Sequence, residues 1–157
     1  MTIERILVPI DYSPCSRAAL KFALDLGERF HATLDIVHAW DRPSYVTEAV
    51  LTTKDPISGK SLIRMIQENA ERDLREFLDG TDVTLASLPS GRLVTGDPAS
   101  ALLHELKEGG HGLVVMGTHG RTGLSRVLLG SVAEKFVRLS PVPVVTVPDE
   151  VAQNLRR

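Results

Sequence analysis

A single open α/β domain, five parallel strands with helices on both faces, is the fold class that this sequence predicts. Three observations carry it. Short apolar runs alternate with amphipathic stretches of ten or more residues, the pattern of strands joined by right-handed helical crossovers. The first run, residues 3–10, is apolar almost throughout, as strands covered on both faces of a parallel sheet are. Ser13-Pro14 and Asp97-Pro98 follow strand ends, each giving an oxygen to cap a helix and a proline preset for its first turn.

Asp11 stops the first strand and Ser13 opens a helix in which Ala19, Phe22, Ala23, Leu26 and Phe30 make the expected buried stripe. A second strand covers residues 34–40, bounded by Asp41, Arg42 and Pro43. Residues 41–59 carry two prolines and no clear period, and read as a long connection. The second helix, residues 61–78, sets Leu62, Ile66, Ala70, Leu74 and Phe77 or Leu78 against a charged, solvated face. Between residues 81 and 95, Pro89, Ser90 and Gly91 separate two β-favouring pieces, residues 83–88 and 92–95, which read as one strand with a turn or bulge. Asp97 and Pro98 open a third helix holding Leu102, Leu103 and Leu106, which ends at Gly109-Gly110. Residues 113–116 make the fourth strand, Ser131 opens a short helix to about residue 139, and Pro141 and Pro143 frame a last strand through Val147. Residues 1–148 thus form one domain and 149–157 a tail.

Composition agrees. A chain of 157 residues, 43% apolar, buries about two-thirds of the surface its unfolded state exposes and needs neither disulfide nor structural metal. The single cysteine, Cys15, makes no internal bridge, and without a CxxC pair or Cys/His cluster the usual zinc and redox scaffolds are excluded. A formal charge of −2 argues against a protein whose main work is to grip nucleic acid. No apolar run nears the roughly 18 residues of a membrane span, and Glu4 sits where a secretory leader carries only positive charge. The expected location is the cytoplasm.

Ligands of open α/β sheets bind outside the carboxyl ends of the strands, where strand order reverses. Three strand ends should meet there: Pro9-Ile10-Asp11, His38-Ala39-Trp40 and Met116-Gly117-Thr118-His119-Gly120. From Gly117 the chain reads GTHGRTGLSRVLLGSV, with glycines at Gly117, Gly120, Gly123 and Gly130. Such a run lets backbone amides turn inward around an anion, and phosphate is the natural guest. Ser131-Val132-Ala133-Glu134 fits a capping box at a helix start, where free amides and a partial positive charge favour the same guest. Arg121, Arg126, Lys135 and Arg138 make the stretch locally basic. The chain lacks G-x-x-x-x-G-K-[ST], has no glycine in the turn after the first strand and has no G-x-S-x-G, which excludes a P-loop, a dinucleotide fingerprint there and a nucleophile elbow.

The segment GTHGRTGLSRVLLGS resembles the G-x2-G-x9-G-[ST] pattern of the universal stress proteins, with Gly117, Gly120, Gly130 and Ser131 at the diagnostic spacing. Val8-Pro9-Ile10-Asp11-Tyr12-Ser13, His38-Ala39, Gly96-Asp97-Pro98 and the closing Pro-Val run from Pro141 extend the likeness over nearly the whole chain. The resemblance implies the Rossmann-like, adenine nucleotide alpha-hydrolase-like fold with strand order 3-2-1-4-5, and binding of ATP or AMP. It implies Asp11 near the ribose and Pro9, Ile10 and Ala39 around the adenine. Met116, Gly117, His119 and Gly120 would line the nucleotide, and the amides and hydroxyl of Gly130, Ser131 and Val132 would hold phosphates. Arg121 could also reach phosphate. On its own, Asp11 more often reads as a strand-end turn residue, and His119 equally as a loop residue or a phosphate donor. The remaining histidines, His31, His38, His104 and His111, read as surface or packing residues, Trp40 as packing, and Cys15 as an inert thiol.

A nucleotide-binding stress or regulatory protein is the leading expectation, with no catalytic residues assigned. Fast phosphoryl transfer needs a carboxylate-held metal, a cation on the γ-phosphate and a group that positions the nucleophile. Asp11 or Asp97 could reach a Mg2+ ion bound with ATP, but no residue stands out as a base. A slow ATPase and a nucleotide-independent interaction module are the alternatives. The last strand, with Val142, Val144, Val145 and Val147, would leave a bare apolar sheet edge unless covered. The resemblance implies a homodimer through this strand, residues 142–147, with two-fold symmetry.

Overall fold

The computed structural model describes residues 2–40, 47–79, 91–118 and 129–148. Five strands form one parallel sheet: β1 (Arg5–Ile10), β2 (Thr33–Trp40), β3 (Arg92–Thr95), β4 (Leu113–Gly117) and β5 (Val144–Val147). Their spatial order is β3-β2-β1-β4-β5. The helices are α1 (Pro14–Phe30), α2 (Glu48–Thr52), α3 (Leu62–Asp79), α4 (Pro98–Glu108) and α5 (Ser131–Leu139). The short α2 lies in the stretch expected to be a plain connection; Leu51, fully buried, gives that turn an apolar anchor. Of the two β-favouring pieces before Gly96, residues 92–95 are β3, and 83–88 lie outside the described residues.

Strand alternation divides the core. Ile6, Val8 and Ile10 of β1 share one face with Leu34 and Ile36 of β2, Leu113 and Val115 of β4, and the buried sides of α1 and α3. Leu7, Val37, Val114 and Met116 face the other way, onto Leu102 and Leu106 of α4 and Ala133 and Phe136 of α5.

On α1 the buried side differs from the expected stripe. Ala18, Ala19, Leu20, Ala23 and Gly27 face the sheet, whereas Phe22 and Phe30 are 38% and 50% exposed. Small residues win that face because the helix approaches closely: a Cβ on Gly27 would lie 2.4 Å from Leu34 Cδ1. On α3 only the carboxyl-terminal part is deeply buried, at Leu74, Phe77 and Leu78, and Leu62 is 37% exposed.

The caps explain two helix starts. Ser13 Oγ accepts the Ser16 amide at 3.1 Å and begins α1. Asp97 Oδ1 accepts the Ser100 amide at 3.0 Å and begins α4. At α5 the expected capping box is absent. Gly130, not Ser131, is the N-cap residue, its carbonyl accepting the Glu134 amide at 2.9 Å, and among the described residues no side chain caps this helix. Ser131 therefore stands one residue inside, with its hydroxyl released from capping.

A charged cluster closes the amino ends of the strands. Asp35 on β2 accepts from Arg5 Nη2 at 2.9 Å, Arg92 Nε and Nη2 at 3.1 and 3.0 Å, and His111 Nε2 at 3.0 Å. Arg92 also pairs with Glu105 of α4 at 2.6 Å. Burial works against the Asp35 charge, but hydrogen bonds from Arg92 and His111, together with the positive charge of Arg92, outweigh it and hold the carboxyl below its usual range. His111 is thus a buried partner of this carboxylate, the packing alternative of the sequence reading.

Candidate functional site

Strand order reverses between β1 and β4, because successive strands run outward from β1 through β2 to β3 and, on the other side, through β4 to β5. The β1–β4 ladder pairs only Ile6 with Leu113 and Leu7 with Val114, whereas β1 and β2 pair along six residues. Pro9, with no amide hydrogen to extend a ladder, stands just beyond. The two strands part there, and a cavity of about 220 Å³ occupies the gap.

Its wall is built from strand ends and helix starts. Pro9, Ile10 and Asp11 come from the end of β1, Ala39 from β2, and Met116, Gly117 and Thr118 from the end of β4. Pro98 and Leu102 of α4, Ser16 of α1, and Gly130 with Ser131, Val132 and Ala133 of α5 complete it. Apolar side chains make most of the surface, and among the described residues Asp11 is its one ionisable side chain.

The backbone around α5 decides which amides face outward. The Gly130 amide donates to the Thr118 carbonyl at 2.8 Å, and the Thr118 amide donates to Val147 O at 3.0 Å. This joins the end of β5, the end of β4 and the start of α5. The Gly130 amide is therefore engaged, while those of Ser131, Val132 and Ala133 lie in the first turn, where no intrahelical acceptor exists. With no capping side chain over them, they give this side of the cavity a partial positive charge.

Asp11 lines the cavity from the end of β1. Its Oδ1 accepts the Ser13 amide at 3.1 Å, an Asx turn that spans Tyr12. Tyr12 has φ +67°, in the left-handed region, which costs an L-residue about 1–2 kcal/mol. Asp97 does not line the cavity. Its Oδ1 is taken by Ser100 and lies 3.8 Å from Lys135 Nζ, and the Ser100 hydrogen bonds, then Lys135, hold its pKa below the usual range. No group of three or more His, Cys, Asp or Glu side chains that could hold a metal ion occurs among the described residues.

Nine of the site residues singled out in the sequence, Pro9, Ile10, Asp11, Ala39, Met116, Gly117, Gly130, Ser131 and Val132, meet at this cavity. His119, Gly120 and Arg121 lie outside the described residues. Sequence reasoning missed Ser16, Pro98, Leu102 and Ala133 as wall residues, while Thr118 belongs to the third of the strand ends expected to meet there. Pro98 directly follows the Gly96-Asp97 turn after β3, so position carried a signal for it. Trp40 lies elsewhere, at a second cavity of about 590 Å³ between α3 and β3.

Comparison with known proteins follows the same outline. The chain matches the universal stress protein family over residues 2–148. It belongs to that family. A universal stress protein of Mycobacterium tuberculosis is 37% identical over 141 residues, covering 89% of this chain but 44% of its own length. The chain thus spans less than half of that relative. The universal stress protein YxiE of Bacillus subtilis is 32% identical and is covered over 98% of its length. Among solved structures, UspA of Lactobacillus plantarum superposes with a TM-score of 0.72 at 24% identity, over 94% of this chain and 99% of that one. A universal stress protein in complex with cAMP superposes with a TM-score of 0.59 at 26% identity, over 94% and 98%. Among the described residues no helix of this universal stress protein is long and apolar enough to cross a membrane.

Proposed function

We propose that this universal stress protein binds an adenine nucleotide, ATP or AMP, at the cavity between β1 and β4, as a cytoplasmic binder and not as a dedicated enzyme. The observation that carries the reading is that one cavity brings together the uncapped amides of Ser131 and Val132 and the Asp11 carboxylate. An anion suits the first and sugar hydroxyls suit the second. Between them, Pro9, Ile10, Ala39 and Leu102 offer apolar surface matched to a base. A volume of about 220 Å³ is smaller than the roughly 300–1,000 Å³ typical of drug-sized ligand sites, so base and ribose would fill it and phosphates would lie at the mouth along α5. The cAMP complex of a relative supports an adenine nucleotide as the ligand class. Binding in place of turnover is supported by the wall itself, whose one described carboxylate already accepts the Ser13 amide. Mg2+ would enter with the phosphates of ATP.

The experiment is direct. Acid-denatured, freshly purified protein should release ATP or AMP to chromatography, and added nucleotide at 100 times its Kd should stabilise the fold by about 2.7 kcal/mol. No released nucleotide together with no thermal shift refutes the reading. We further propose a two-fold homodimer through residues 142–147, supported by the position of β5 at one edge of the sheet. Sedimentation as a monomer at micromolar concentration refutes it.

A further inference from the structure

One imidazole grips both neighbours of Asp11 from the far side of the sheet. The His38 ring lies on the α1 and α3 face, away from the candidate cavity. Its Nδ1 is 2.8 Å from the Ile10 carbonyl. A carbonyl only accepts, so Nδ1 carries the proton. The same ring meets the Tyr12 ring at 4.3 Å between centroids, tilted by 35°. Tyr12 in turn packs edge-on against Phe77 of α3 at 5.5 Å. Arg17 of α1 fixes Phe77, with its guanidinium carbon 4.3 Å from the ring centroid and Nη1 donating to the Phe77 carbonyl at 3.0 Å.

The backbone shows why such a grip is needed. Among the described residues other than glycine, positive φ occurs only at Tyr12 and His31, and His31 is the left-handed cap that ends α1. Tyr12 ends no helix. A strained conformation persists only where its surroundings over-determine it, and such residues cluster at binding sites. Glycine would adopt this φ freely, yet a large aromatic side chain stands here, held by two rings. Pro9 and Asp11 line the cavity, whereas Tyr12 packs against the core on the α1 side, and Ile10, a core residue of that side, also reaches the cavity wall.

We propose that His38 and Tyr12 are positioning residues that aim the Asp11 carboxylate at the hydroxyls of a bound ribose. The inference rests on the nucleotide-binding reading above. His38 holds the carbonyl before Asp11 and Tyr12 holds the residue after it, so the carboxylate turns with neither.

The test compares ATP with 2′,3′-dideoxy-ATP by isothermal titration calorimetry. Wild type should prefer ATP by about tenfold, the worth of a hydrogen bond to a charged group. His38→Leu keeps bulk without a donor, and Tyr12→Gly relieves the strain without a ring. In both, the preference should collapse towards one while dideoxy-ATP affinity holds. His38→Asn, whose amide nitrogen takes the place of Nδ1, should restore most of it. Equal loss of both nucleotides, or a preserved preference in both variants, overturns the proposal.

If wild type binds neither nucleotide, or both alike, the ribose reading fails and the clamp is judged by hydrogen exchange at the Ser13 amide, which Asp11 Oδ1 accepts. Faster exchange in His38→Leu, reversed in His38→Asn, supports the clamp. Unchanged exchange in His38→Leu and Tyr12→Gly overturns it.

Discussion

Replacing Gly117 by alanine tests how closely α1 is set against β4 at the floor of the cavity. A Cβ at this position would lie 2.8 Å from Cys15 Cβ, 3.0 Å from Cys15 C and 3.1 Å from the Ser16 amide nitrogen. The nearest of these falls 0.6 Å short of the 3.4 Å at which ordinary contact begins. None of the three atoms ends a flexible side chain, so relief requires the first turn of α1 to move as a unit. Overpacking of this kind costs about 1–3 kcal/mol. In a chain of this length each kcal/mol lowers Tm by roughly 2–4 °C. Urea titration followed by circular dichroism should show a lower midpoint with an unchanged slope. A second variant sharpens the test: Cys15→Ala removes the sulfur but keeps the Cβ and the backbone, so it should not rescue Gly117→Ala. An unchanged midpoint in the single variant, or full rescue in the double one, would refute the close-approach argument.

The two helix starts should part company under substitution: Asp97→Ala loses its bond to the Ser100 amide and should cost about 1 kcal/mol, while Ser131→Ala, capping nothing, should leave the urea midpoint within about 0.5 kcal/mol of wild type. Phe136, fully buried on the inner face of α5, should cost about 3–5 kcal/mol as Phe136→Ala in the same titration. Acid should loosen the base of the sheet. The Asp35 carboxyl has a folded pKa below its ordinary 3.8, so its contribution is complete above that value and fades as pH falls through the folded pKa. Asp35→Asn should therefore be less stable at neutral pH and show a shallower loss of stability below about pH 4; a slope matching wild type in a pH series of urea titrations would count against this.

Where local chemistry and tertiary packing agree, the fold is legible from the residues. Residues 3–10 read as a buried central strand because little else in the chain is so apolar, and Asp97-Pro98 opens α4 by a cap that needs no tertiary context. The face of α1 was misread for a physical reason. Periodicity weighs Phe22 and Phe30 as strongly as Ala19 and Ala23, but a helix that approaches the sheet closely at Gly27 takes mostly small side chains on that face, Ala18, Ala19, Ala23 and Gly27 beside Leu20. Ser131 was misread because S-x-x-E describes a pattern and not a register; the tie between Gly130 and Thr118 moves the helix start back by one residue. The wall of the cavity was legible where strand ends carry it. Ser16, Leu102 and Ala133 come from helices docked by their far sides, and only the packing reveals which way they turn. The Tyr12 turn was equally hidden, since nothing local requires a tyrosine to enter the left-handed region.

The hydrogen bond between the Gly130 amide and the Thr118 carbonyl, 2.8 Å long, ties the first turn of α5 to the end of β4, which the Thr118 amide ties in turn to Val147 at the end of the edge strand. A relay of that kind makes the outermost strand and the cavity wall mechanically continuous, so a displacement at Val147 would be felt at the amides of Ser131 and Val132.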